Sequence, residues 1–330
     1  MRAEIMSQEI PPEIGLALVR VTEATAQVAG RWLGSGNRES AHRAATEAMY
    51  KALQKVDIDG YIVIGEEGRL GEHSPLDTGQ PVGTGRGPQV DVVVDPIDGT
   101  GSVVKGHPGA ISVVGIAPRG SIWSPHPAVY MNKIVVDSQA ANVLVPECMG
   151  APAAWTLALV ARAKQKDVRD LQVVVLDRPR HTNLVNEIRA TGARVLLRDD
   201  GDTVGALIAA IPNRGADILM GIGGLSEGVT AACAVKAVRG GMLARLAPQS
   251  SQEREAIQAA GLDLRRVLSC EEMVSSSKIF FAATGVTDGS LLTGVEYSNQ
   301  EVRTQSLLLR GENGRRRLLQ TTHLVNPGVN

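Results

Sequence analysis

Aromatic side chains are scarce: Phe, Trp and Tyr make up 3% of the 330 residues, so the core must be built from Val, Ile, Leu and Ala. Cysteine is scarce as well. Cys148, Cys233 and Cys270 lie far apart and form no CxxC pair, which reads as reduced thiols rather than a disulfide framework. Each is expected as a reduced, buried thiol in a cytosolic setting. No run of about 18 apolar residues occurs, and the opening MRAEIMSQEIPPE has no apolar signal region. The expectation is a cytoplasmic protein that neither spans a membrane nor is exported. Net charge is −1 with the basic residues scattered, which argues against nucleic acid or an anionic membrane as partner.

What is present is an ordinary globular composition, 43% hydrophobic and 21% charged. A chain of this length supports two subdomains, and the boundary is placed near residue 150. Helical periodicity covers 14–33, ending at Gly34-Ser35-Gly36, and a second helix starts near Ser40 with His42 on its inward stripe. Tyr61–Ile64 and Val90–Val94 read as strands that each run into acids, and the Gly-, Pro- and charge-rich stretch 68–87 reads as a loop or flap. From Leu171 onward strands (171–176, 193–197, 217–222) alternate with helices (181–190, 203–211, 226–238). That alternation predicts a mostly parallel sheet with ligands at the carboxyl ends of its strands. Two further strands are expected at 278–283 and 304–309.

Chemistry concentrates at those strand ends. In Asp95-Pro96-Ile97-Asp98-Gly99-Thr100, proline is expected to stop the ladder and Gly99 to permit a sharp turn. Two carboxylates and the Ile97 carbonyl then sit at one rigid place, with the Thr100 hydroxyl beside them. Crowded oxygens of this kind suit Mg²⁺ or Mn²⁺ rather than zinc. An isolated Asp-Pro-x-Asp-Gly serves as often as a turn whose aspartates cap backbone N–H groups. Here Glu66 follows the preceding strand, so two neighbouring strands deliver acids to one edge. Gly221-Ile-Gly-Gly-Leu-Ser-Glu227-Gly is read as a strand-to-helix turn whose bare N–H groups favour phosphate, with Glu227 in the first helical turn. Arg178-Pro179-Arg180-His181 offers paired guanidinium groups for a phosphate, and Asp200-Gly201-Asp202 offers acceptors for sugar hydroxyls. Each of these last two fragments alone is more often a solvated loop or a helix cap. Their succession with the Gly-rich turn at three strand ends argues for a site.

With those residues in view, the chain resembles the class II fructose-1,6-bisphosphatases of the lithium-sensitive, metal-dependent sugar phosphatase superfamily. The resemblance runs from Val21-Thr-Glu to Gln320-Thr-Thr-His and is carried by Arg31-Trp-Leu-Gly-Ser-Gly36, Ile62-Val-Ile-Gly-Glu66, Val82-Gly-Thr-Gly-Arg-Gly87, Val94–Thr100, Arg178–His181, Asp200–Asp202 and Gly221–Gly228. It implies a layered α/β/α/β/α sandwich, with 1–150 as a metal-binding α+β subdomain and 151–330 as an α/β substrate-binding subdomain. It also implies metal ligation by Glu66, Asp95, Asp98 and Glu227 around Mg²⁺ or Mn²⁺, and a role for Thr100 with the attacking water. Substrate contacts are implied for Asp98, Gly99, Thr100, Tyr130, Arg178, Pro179, Arg180, Asp200, Gly201, Asp202 and Gly224. A homo-oligomer, dimer or tetramer, is implied too.

Two departures stand out. Arg38 and His42 occupy the place of the family's lysine and metal-binding aspartate, so His42 is either a manganese-tolerant ligand or a core histidine. The segment Gly65-Glu-Glu-Gly-Arg-Leu-Gly-Glu72 departs from the family's acidic loop, leaving Glu72 or Glu67 to stand for its water-activating aspartate. The expected activity is hydrolysis of the 1-phosphate of a sugar bisphosphate, fructose 1,6-bisphosphate first and sedoheptulose 1,7-bisphosphate second. The alternatives are a paralogue for another phosphorylated sugar or cyclitol, and a catalytically weak sugar-phosphate-binding protein.

Overall fold

The computed structural model describes residues 9–66 and 73–324. In chain order its main elements are α1 (Pro12–Gly30), α2 (Arg38–Leu53), β1 (Asp59–Ile64), β2 (Pro81–Val82), β3 (Gln89–Asp98), α3 (Thr100–Lys105), β4 (Ile111–Pro118), β5 (Tyr130–Val136), α4 (Ala153–Lys164), β6 (Gln172–Leu176), α5 (Thr182–Ala190), β7 (Arg194–Arg198), α6 (Asp202–Ala210), β8 (Ile218–Gly224), α7 (Leu225–Ala237), β9 (Gly241–Leu246), α8 (Ser251–Ala259), β10 (Leu268–Ser269), α9 (Cys270–Met273), β11 (Phe280–Gly285), β12 (Glu296–Tyr297), β13 (Glu301–Arg310) and β14 (Arg315–Leu324). The architecture is mixed α/β with two mixed sheets.

The chain folds as two compact units, 1–121 with 278–330 and 122–277. This differs from a boundary at residue 150 in two ways. The second unit starts before β5, and the C-terminal strands return to the first unit. The return is a long-range pairing: β11 lies antiparallel to β4 on one side and to β13 on the other. No local pattern announces it.

In the first unit the sheet order is β12-β13-β11-β4-β3-β1-β2, with β14 pairing β13. Helix α1 opens with Pro12 at its first turn, where a missing N–H costs nothing. Helix α2 is capped by Asn37, whose side chain accepts the Ser40 N–H at 3.0 Å. Leu18, Val21, Met49 and Leu53 of these helices pack on Val92, Val94, Val114 and Ile116 of the sheet. Each such fully buried side chain stabilises the fold by about 1.5–3 kcal/mol.

In the second unit the order is β10-β9-β5-β8-β6-β7. The expected parallel alternation holds only for β8, β6 and β7. The sheet is mixed because β5 runs antiparallel to both β8 and β9. Neither β5 nor β9 was legible as a partner: β5 inserts between β8 and β9, which α7 connects as a crossover, and its pairing with both is long-range in the chain. Leu157, Val160, Val185 and Ile188 from α4 and α5 pack on Val173, Val175, Ile134 and Met220. All nine residues of α6 are buried, so that helix is apolar nearly all round.

Candidate active site

The acids of the first unit are placed by two irregularities in its sheet. On β3, Asp95 pairs with Val113 of β4 and Asp98 pairs with Ile111, so three steps on one strand answer two on the other. This is a β-bulge, and it corrects the expectation that Pro96 stops the ladder: pairing resumes at Asp98. In a regular strand residues three apart face opposite ways. Because Val113 and Ile111 share a face, the extra residue turns Asp95 and Asp98 to the same side of the sheet. Strand β1 runs parallel to β3 with Ile64 opposite Val93, so Glu66 and Asp95 each follow two residues beyond a registered pair.

The three carboxylates are 2%, 3% and 2% exposed for Glu66, Asp95 and Asp98. The Asp95 Oδ1 accepts the Ile97 N–H at 3.1 Å, which fixes the bulge. Gly99 has φ +98°, a conformation L side chains avoid, and starts α3 immediately. The Thr100 hydroxyl donates to the Ile97 carbonyl at 3.0 Å, leaving its lone pairs to accept. That carbonyl keeps one lone pair. From α2, the buried His42 sets Nε2 3.0 Å from Glu66 Oε2, so the structure joins these two sequence candidates directly. Glu67 and Glu72 lie outside the described residues.

In the second unit, the carboxyl ends of β6, β7, β8 and β9 and the start of β5 share one edge by register. Tyr130, Arg178, Pro179, Arg180, Asp200, Gly201, Asp202, Gly224 and Glu227 all belong to it. Arg180 donates from Nε and Nη2 to the Ile222 carbonyl at 3.2 and 2.8 Å, and its guanidinium lies 5.5 Å over the Tyr130 ring. Desolvation lowers its pKa, opposed by Tyr130, yet an arginine remains cationic. Arg178 donates to the Asp177 carbonyl at 2.9 Å and sets Nη2 3.8 Å from Asp200.

His181 has a structural task. Its Nε2 accepts the Ile222 N–H at 2.8 Å, so Nδ1 carries the proton and donates to the Leu176 carbonyl at 2.7 Å. Burial lowers its pKa, the Leu176 carbonyl opposes that shift, and Arg180 and Lys133 add to it.

The glycines of 221–224 differ from the expected phosphate turn. They end β8, and two of them exist for close approach. A Cβ at Gly223 would fall 1.8 Å from Asp202 Oδ2, and one at Gly224 would fall 1.8 Å from Glu227 Oε2. Glycine is needed here for the room that neighbouring side chains take up, and the Ile222 and Leu225 N–H groups are already bonded to His181 and Val129.

Sequence reasoning missed two residues. Lys133, 1% exposed, forms an ion pair with Asp202 inside the second unit, so Asp202 has one oxygen already committed. Glu253 of α8 accepts the N–H groups of Val129 and Tyr130 at 2.8 and 2.9 Å, which fixes the start of β5. The available signal for Lys133 was a lone cation inside an apolar strand run, since lysine is almost never fully buried without a partner. Glu253 left none.

The donor set of the first unit fits a divalent cation by its chemistry. Glu66, Asp95, Asp98 and the Ile97 carbonyl are hard oxygens, and buried carboxylates are stabilised by a positive charge. Among the described residues no three His, Cys, Asp or Glu side chains form a ready-made metal cage.

Comparison with known proteins bears on the whole chain. The model of the family "Bacterial fructose-1,6-bisphosphatase, glpX-encoded" matches residues 12–323. The Haemophilus influenzae protein "Fructose-1,6-bisphosphatase class 2" is 35% identical over 326 residues, covering 95% of this chain and 96% of its own length. The Escherichia coli K12 protein "Fructose-1,6-bisphosphatase 1 class 2" is 35% identical over 327 residues, with the same coverage.

Proposed function

The chain belongs to the bacterial, glpX-encoded fructose-1,6-bisphosphatase family, and on that premise we propose that it hydrolyses the 1-phosphate of fructose 1,6-bisphosphate, with sedoheptulose 1,7-bisphosphate as a second substrate. The observation that carries this reading is the family match over 12–323, which spans every candidate site residue. It makes the chain a phosphoric monoester hydrolase of carbohydrate metabolism.

Glu66, Asp95, Asp98 and the free lone pair of the Ile97 carbonyl are the donors for a divalent cation, Mg²⁺ or Mn²⁺. The family resemblance adds Glu227. When bound, the cation supplies Lewis-acid stabilisation of charge on phosphoryl oxygens. His42, with Nε2 3.0 Å from Glu66 Oε2, orients that carboxylate toward the cation rather than ligating it through the same nitrogen. Thr100, its proton committed to Ile97, accepts an O–H of the attacking water and so orients it. Arg178 and Arg180 neutralise the phosphate that does not react. Arg180 does so from a fixed pose, since two of its donors are already held by Ile222. Binding energy there positions the reacting phosphate. Asp200 and Gly201 remain for sugar hydroxyls, together with the Asp202 oxygen that does not face Lys133. A cytoplasmic homo-oligomer is the setting this reading favours; the family resemblance and the free, buried cysteines support it.

The test is phosphate release over a sugar-phosphate panel with Mg²⁺, Mn²⁺ and EDTA. Asp98→Asn is expected to lower turnover on fructose 1,6-bisphosphate by orders of magnitude with an unchanged circular dichroism spectrum. Near-normal release by that variant overturns the assignment.

A further inference from the structure

The second unit contains a cavity of about 320 Å³ to which the proposed hydrolysis gives no role. Its base is a cross-strand row. Ile222 of β8 and Arg245 of β9 both register opposite Asn132 of β5, so the three side chains share one face of the sheet. Gln249 and, from α8, Arg254 supply further polar lining, and Leu246, Pro248 and Leu264 supply apolar wall.

No acid lines the cavity. Of the acids flanking Arg254, Glu255 does not reach it and Glu253 is committed to backbone: Oε1 takes the Val129 and Tyr130 N–H groups, and Oε2 takes the Gln249 N–H at 2.8 Å. Arg245 is held in place by donating Nη2 to the Met149 carbonyl at 3.1 Å. Among the described residues Arg254 forms no ion pair and no side-chain hydrogen bond. Two guanidinium groups at one cavity repel each other unless an anion joins them, and their planar forks match a phosphate's oxygens. Two side-chain amides and an apolar wall suit the carbon skeleton attached to such an anion.

We propose that this cavity is an anion site that binds a phosphorylated small molecule through Arg245 and Arg254, separate from Arg178 and Arg180. Ile222 links the two places: its side chain lines the cavity while its carbonyl holds Arg180 and its N–H bonds His181. An occupant here therefore bears directly on the residue that fixes Arg180.

The test uses the full chain, metal-free in EDTA, titrated with inorganic phosphate by calorimetry. Wild type is expected to show saturable binding that survives in the Arg178→Ala/Arg180→Ala double variant. Arg254→Ala and Arg245→Ala are each expected to weaken that binding about tenfold or more, with Arg245→Lys recovering part. Arg254 is exposed, so its variant is expected to melt like wild type. Absence of saturable binding in wild type overturns the proposal. So does binding abolished by the Arg178/Arg180 double variant and untouched by the other two. Kinetics of Arg254→Ala identify the source of the phosphate. A roughly tenfold rise in KM for fructose 1,6-bisphosphate overturns the separation from Arg178 and Arg180, because the substrate's two phosphates are then not both accounted for by the reacting site and that arginine pair. An unchanged KM, with loss of any phosphate effect on turnover, marks a free effector. Because the calorimetry needs no turnover, failure of the hydrolase reading leaves this site standing.

Discussion

Replacing Lys133 by Met tests the reasoning about the buried interior of the second unit. Lys133 is 1% exposed and the Asp202 side chain 6%, and the two form an ion pair beside Gly223, which has no room for a side chain. Methionine has nearly the volume of the lysine stem, so packing is kept and only the charge is lost. What remains is a buried carboxylate without its cation. Breaking such a pair on one side costs about 3–5 kcal/mol. At roughly 2–4 °C per kcal/mol for a unit of this size, the melting temperature is expected to fall by about 6–20 °C. The double variant Lys133→Met/Asp202→Leu removes both charges and is expected to regain most of that loss, because an apolar pair of similar volume is about neutral relative to a buried ion pair. Thermal melts of wild type, the single and the double variant, followed by circular dichroism, read the effect. If the single variant melts with wild type, or the double variant melts no higher than the single, the pair has no energetic role and the argument fails.

The buried His181 predicts a pH dependence of stability. Its folded pKa is lowered from the ordinary 6.5, chiefly by desolvation, so below pH 6.5 the unfolded chain binds a proton that the folded chain refuses. Stability therefore declines as pH falls through that value and is recovered as pH rises through it. Denaturant midpoints measured across this range should show the slope in wild type and a shallower one in His181→Gln; an equal slope in both removes His181 as the cause. The three cysteines are buried, and burial pushes the Cys270 thiol far above its usual range. Native protein should leave a thiol reagent such as DTNB unreacted, and denatured protein should react at all three. Fast native labelling would contradict the burial.

Much of the site was legible because its residue types are chemically unusual where they stand. Asp95, Asp98 and Glu66 follow apolar strands, and Arg178, Arg180, Asp200 and Asp202 follow others. A charge next to a β-branched run marks a strand end in one dimension. The family resemblance rests on the same local spacings. The helices α1, α2, α5, α6 and α7 were legible from periodicity, with ends shifted by at most three residues. The roles of the Gly221–Gly224 segment were not. A glycine required for positive φ and one required for the approach of Glu227 look alike in sequence, and only the spatial neighbour separates them.

The amino-acid sequence alone determined an α/β chain with an apolar, aromatic-poor core, the helices and central strands, and the short motifs that place acids and arginines at strand ends. Those are local properties, set by side-chain period and by glycine and proline. The tertiary structure decided what depends on partners distant in the chain: the return of β11–β14 to the first unit, the antiparallel setting of β5, and the bulge that turns Asp95 and Asp98 to one side. It also decided that Lys133 neutralises Asp202, that Glu253 holds Tyr130, and that Arg245 and Arg254 face one cavity. Each of these follows from strand register or packing between residues far apart in sequence, and neither is encoded within any short window of it.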